Sequence, residues 1–255
     1  MKGNLLNRIF SIEEGETGRV GLLLIMSFFM GSFLATYSVA AQTLFLQTID
    51  DNSDLPRAFV ISGVIGLFAT IAYNFLQTRI SFRVLAILSL LIITIITGFV
   101  EFGDRFITDP KLHYLFGYTQ LAPFTLIILL VFWGAFNRMF NVKETKRLLG
   151  SVDQGALFAS LISFFSIPFV LKFIDVDSLY TISLVSIIAF TILFAVLSTK
   201  FAGEGWSLKK ERELNQKLSV GAFFKSKYVL FLSLFIIASM VALNFMDYSF
   251  LNVAN

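Results

Sequence analysis

Seven continuous apolar runs constrain this chain more than any other feature of its sequence. They cover residues 20–46, 57–77, 82–102, 112–137, 151–173, 178–199 and 228–252. A helix needs about 20 mostly apolar residues to cross the hydrocarbon core of a bilayer. Residues 86–100 (AILSLLIITIITGFV) contain no charged side chain. Each run is too long and too uncharged for the core helix of a water-soluble domain. The runs are unbroken rather than alternating, which argues against a membrane β-barrel. In lipid the backbone must satisfy its own polar groups, and a helix does so within one segment. The expected fold class is therefore all-α, a polytopic transmembrane helical bundle.

Composition narrows the function classes. Of the 255 residues, 56% are hydrophobic and 15% charged, against about 25% charged in an average soluble domain. The mean hydropathy is +0.80. Disorder and an ordinary soluble enzyme are excluded. No cysteine is present, so disulfides and thiolate metal sites are excluded too. A single histidine, His113, makes no histidine-based metal cluster. No metal or cofactor is expected, and neither GxGxxG nor GxxxxGK[ST] occurs. No nucleophile stands with a partner histidine, and no paired carboxylates share one membrane layer. Neither enzymatic activity nor a nucleic-acid partner is expected; the lipid bilayer is the expected surrounding.

Lysines and arginines decide orientation, because they concentrate in cytoplasmic loops. With the N-terminus cytoplasmic, sixteen fall inside: Lys2, Arg8, Arg19, Arg79, Arg83, Arg138, Lys143, Lys146, Arg147 and seven from Lys200 to Lys227. Four fall outside, namely Arg57, Arg105, Lys111 and Lys172. The outer loops instead hold Asp50, Asp51, Asp54, Glu101, Asp104, Asp109, Asp175 and Asp177.

Four regions follow. Residues 1–19 read as a cytoplasmic interfacial helix, with Leu5, Leu6, Ile9 and Phe10 on one face. Glu13, Glu14 and Glu16 are incompatible with a secretory signal. Residues 20–199 form a six-helix transmembrane half, and 200–227 a charged cytoplasmic linker. Residues 228–255 read as the first helix of a truncated second half, the plan of a two-halved transporter. Pro56 and Pro110 sit at outer helix starts, where a missing N–H costs little. Pro123 and Pro168 lie inside predicted helices and kink them.

Two groups of residues are candidates for function. In the first run, Ser32, Thr36, Ala40 and Thr43 follow at spacings of 4, 4 and 3 and line one face. Such a face packs against a neighbouring helix or lines a water-filled path. Tyr37 and Gln42 lie near it, and Gln120 stands in the fourth run; with Ser32, Thr36 and Thr43 they form the candidate substrate pathway. His113 reads as a solvated interface residue and Trp133 as part of an interfacial aromatic belt. The second group surrounds the junction of the fourth and fifth runs: Asn137, Arg138, Lys143, Glu144, Lys146, Arg147 and Asp153. Ser151 with Gln154 predicts a capping box opening the fifth helix, with Asp153 in its first turn. This is either a positively charged anchor or a cytoplasmic gate in which Asp153 pairs with Arg147 in one state. Asp247 lies about 28 Å along the seventh run, near the outer surface.

Four stretches resemble the bacterial nucleotide-transporter group related to the ATP/ADP translocases, a branch of the major facilitator superfamily. They are LLNRIFSIEEGETGRV, SVAAQTLFLQTI, LPRAFVISGVIG and FNVKETKRLLGSVDQGALFASLIS. The last carries the most specific element, Glu144-Thr145-Lys146-Arg147, similar to the EAKR or QAKR of that family. The resemblance implies a major-facilitator-like six-helix half and transport of nucleotides or related organic phosphates by alternating access. It also implies the bacterial inner membrane. The family carries basic residues in its first helix, and LATYSVAAQ here has none. The uncharged middle layer equally permits a membrane scaffold or interaction subunit that binds protein partners and does not transport.

Overall fold

A computed structural model describes residues 13, 16–48, 54–201 and 227–254. Its helices are α1 (Thr17–Leu46), α2 (Asp54–Gln77), α3 (Phe82–Glu101), α4 (Pro110–Thr119), α5 (Leu121–Met139), α6 (Val142–Val170), α7 (Ser178–Lys200) and α8 (Lys227–Ala254). A short 3₁₀ turn, Gly103–Arg105, follows α3, and no strand occurs among the described residues. With α4 and α5 taken end to end, seven helical segments are long and apolar enough to cross a membrane. The chain is an all-α, multi-pass membrane protein. The predicted interfacial helix and most of the charged linker lie outside the described residues.

The central member is α1. It packs against α6, α7, α4 and α5, while α3 packs on α7 and α2 on α5. Small residues make the closest crossing. A side-chain carbon added at Gly31 would stand 2.9 Å from the backbone nitrogen of Ser160, so α1 and α6 approach there because glycine leaves room. The bundle centre is filled. Phe33, Tyr37, Phe124 and Tyr180 form a buried aromatic cluster, with the Tyr37 ring centroid 5.5 Å from Phe33, 5.2 Å from Phe124 and 5.3 Å from Tyr180. Outward-facing residues such as Phe68, Ile95, Phe165 and Ile192 are exposed, as lipid-facing positions in a bundle should be.

The fourth apolar run is not one helix. It breaks at Gln120, whose backbone N–H turns back to Gly117 and Tyr118. Pro123 explains the break: it has no N–H to offer the Thr119 carbonyl four residues earlier. The freed Ala122 N–H donates instead to the Ser62 hydroxyl of α2, at 3.3 Å.

One expectation is overturned. The fifth span opens at Val142, not near residue 151. Asn141 is its N-cap: its side chain accepts from the Lys143 and Glu144 N–H groups, while Glu144 accepts from the Asn141 N–H at 2.8 Å. This is a complete capping box. Ser151 and Asp153 therefore lie inside the helix, and Asp153 is remote from the N-terminal dipole. Two full turns of α6 made of good helix formers precede its apolar part.

The last helix, α8, touches the bundle near one end. Leu251 is buried beside Phe45, Leu55, Ala58 and Tyr118, and Tyr248 meets Phe59 edge to face at 5.7 Å. Most of its length is exposed, Asp247 included.

Candidate functional site

Contacts sort the helix ends into two groups. Glu16, Phe82, Arg138, Arg147 and Phe201 meet at one end; Asp54, Glu101, Lys111, His113 and Asp177 lie at the other. We call them the basic and the acidic end.

At the basic end, the α5 C-terminus supplies carbonyls without helical partners, which attract cations. Arg138 donates to the Gly134 carbonyl at 3.0 Å, and its guanidinium carbon lies 3.8 Å from the centre of the Phe82 ring. Gly134 permits this, since an added side-chain carbon would stand 2.7 Å from the Phe82 ring. Arg19 donates to the Met139 carbonyl at 3.2 Å and lies over Phe140. Between α2, α3 and α5 the Arg138–Phe82 contact borders a cavity of 340 Å³, whose polar lining is Tyr73, Gln77, Trp133, Asn137 and Arg138. Its size falls in the range of small-molecule sites, about 300–1,000 Å³. A guanidinium, two amides and two aromatic faces suit an anion that also presents a flat ring.

Beside this cavity an ion-pair cluster joins α1 to α6. Arg147 contacts both Glu13 and Glu16, and Glu16 is buried while Glu13 is exposed. The Glu16 carboxyl also accepts from the Glu13 N–H at 3.0 Å. Burial raises the Glu16 carboxyl above the ordinary carboxylate range, and nearby Glu144 adds to that. Arg19 pulls the other way, and burial leads.

The predicted residues thus separate. Asn137 and Arg138 line the cavity. Glu144 caps α6. Arg147 holds the acidic approach to α1; Lys143, Lys146 and Asp153 are exposed. The gate reading pairs Asp153 with Arg147 in one state; in this structure Arg147 contacts Glu13 and Glu16. They stand about 130 positions earlier in the sequence, so local spacing carried no trace of the contact.

The candidate pathway residues are also located. Thr36 and Ser183 hydroxyls meet at 2.8 Å, and Ser186 donates to Ser32 at 3.2 Å, so this part of the α1 stripe packs on α7. Its flank borders a 140 Å³ crevice with Ser163 and Ser166 of α6. Tyr37 is buried and donates to the Gly117 carbonyl at 2.9 Å. Gln42 and Thr43 are half-buried. Gln120 is buried at the α4–α5 break, 3.4 Å from the Thr119 hydroxyl. His113, expected in solvent, is 6% exposed: its ring fills the space left by Gly103. Trp133 is half-buried, edge-on to Phe132 and Phe136.

Comparison with protein-family models, with curated proteins and with solved structures finds no match.

Proposed function

We propose that this multi-pass membrane protein is a secondary transporter of an organic anion. The carrying observation is the 340 Å³ cavity at the basic end, with Arg138, Asn137 and Gln77 for charge and hydrogen bonds and Trp133 and Tyr73 for stacking. Nucleotides and related organic phosphates combine a flat ring with negative charge and fit that lining. The likeness of the Glu144–Arg147 region to nucleotide transporters of the major facilitator superfamily supports the same class. In this reading the N-terminus is cytoplasmic in a bacterial inner membrane, following the excess of basic residues on that side. The Arg147 cluster then ties α1 to α6 within the six-helix half on the cytoplasmic face, so that this half can move as one body in alternating access.

Uptake of labelled nucleotides and organic phosphates by proteoliposomes carrying the protein tests this. Uptake by the wild type, lost in Arg138→Ala, is expected. No uptake of any such solute by correctly folded wild type overturns the reading.

A second reading, an interaction subunit without transport, is favoured by α8. Its apolar surface is exposed along most of its length. Stable co-purification with another membrane protein, together with silent proteoliposomes, is the outcome it requires.

A further inference from the structure

At the acidic end a second cavity, of 210 Å³, lies among α3, α4 and α7. Its polar lining is Glu101, His113, Tyr114, Asp177, Ser178 and Tyr180, and among the described residues no lysine or arginine borders it. The nearby Lys111 is engaged with Asp54 at 2.7 Å, and the Lys172 ammonium lies over the Phe169 ring. The carboxylates are held by hydroxyls. Thr181 donates to Glu101, and Tyr114 donates to Asp177 at 3.3 Å. Those bonds orient the acids without neutralising them.

Two further groups point to a ligand. His113 is 6% exposed and Tyr180 is 2% exposed, yet the His113 Nδ1 and the Tyr180 hydroxyl have no hydrogen-bond partner. Buried polar atoms are nearly always paired, and leaving one bare is costly. Both residues line the cavity with the two carboxylates, the His113 Nδ1 on the side of its ring that meets Gly103. Gly103 and Gly117 allow this placement: a side-chain carbon at Gly103 would run into the His113 ring, and one at Gly117 would stand 2.8 Å from the Tyr180 oxygen. Room, two carboxylates, an imidazole ring and an unpartnered phenol are therefore brought together.

We propose that this cavity is a binding site for a small protonated amine. An ammonium group has three donors and one positive charge, and the site offers carboxylate, imidazole and phenol acceptors. Its volume equals that of about seven liquid waters, which limits the ligand to a few heavy atoms beyond the nitrogen. Among the described residues no three of His, Asp and Glu converge as metal ligands, so a hydrogen-bonding cation fits better than a coordinated metal ion. The site is separate from the basic-end cavity, and it stands whether or not that cavity carries an anion.

Calorimetric titration of the whole protein in nanodiscs with ethylammonium chloride tests the assignment. Tetramethylammonium, sodium and calcium chlorides serve as competitors at equal ionic strength. Ethylammonium should bind best, because tetramethylammonium has the charge but no donors. Glu101→Gln and Asp177→Asn should each weaken binding about tenfold or more. Tyr180→Phe removes only a hydroxyl without a partner, so the unliganded protein should melt no lower than the wild type while amine binding falls several-fold. Equal binding of tetramethylammonium, tighter binding of calcium, or undiminished affinity in a well-folded Tyr180→Phe with either carboxylate variant overturns the proposal.

Discussion

At the basic end, Arg19, Arg138 and Arg147 lie against carbonyls, aromatic faces and carboxylates. At the acidic end, Glu101 and Asp177 meet hydroxyls, beside an imidazole nitrogen and a phenol with no partner. Each end borders a cavity, but only at the basic end is a charge lining the cavity, that of Arg138, met by a carbonyl and an aromatic face; Glu101 and Asp177 meet hydroxyls alone. The difference teaches where each end's cost is met. The unpaired Met139 carbonyl at the end of α5 holds Arg19 within the fold. Carboxylates oriented by hydroxyls keep their net charge and present it to whatever enters.

The sharpest way to break this contrast is Arg138→Ala. It should weaken anion binding at the basic end by about tenfold to a hundredfold and leave ethylammonium affinity at the acidic end unchanged, read by titration of both ligands on one sample. A parallel loss of both would show that the ends are not independent.

Next in size is Arg147→Ala, which leaves the buried Glu16 carboxyl without its guanidinium and should cost about 3 kcal/mol in unfolding measurements. Glu16→Gln should cost less, because burial already favours the protonated acid there. The sign with pH follows. A raised carboxyl lets the folded chain keep its proton to a higher pH than the unfolded chain does. The Glu16 contribution to stability therefore falls as pH climbs through the range just above ordinary carboxylate values, and Glu16→Gln should flatten that fall.

On the acidic side, Gly103→Ala drives a methyl group into the His113 ring and should cost about 2 kcal/mol while abolishing ethylammonium binding. Arg138-dependent anion binding should survive it. The smallest effect is expected at Gly150, where an added methyl meets open space within α6. Gly150→Ala should raise stability by under about 1 kcal/mol, seen as a higher melting temperature with both affinities unaltered.

The transmembrane plan was readable because a lipid-crossing helix must be apolar over a fixed length, and the observed spans fall close to the predicted ones. The start of α6 was not read because a helix reaching beyond the bilayer loses its apolar signature. The signal was nonetheless present: Asn141 stands three residues before Glu144, the spacing of a capping box. The burial of His113 depends on Gly103 on another element, and the partners of Arg147 lie on the approach to α1. Such contacts arise only when distant segments are brought together, so periodicity cannot reveal them. Pro123 did mark the interruption at Gln120, though it announced a bend rather than two separate helices.

That interruption has a mechanical meaning. Tyr37 ties α4 to α1 through the Gly117 carbonyl, whereas Ser62 of α2 holds the first turn of α5. The fourth crossing is thus an elbow whose upper and lower arms are strapped to different neighbours. The fourth crossing therefore spans the membrane as two short struts, each pinned by its own interhelical hydrogen bond, instead of as one rod.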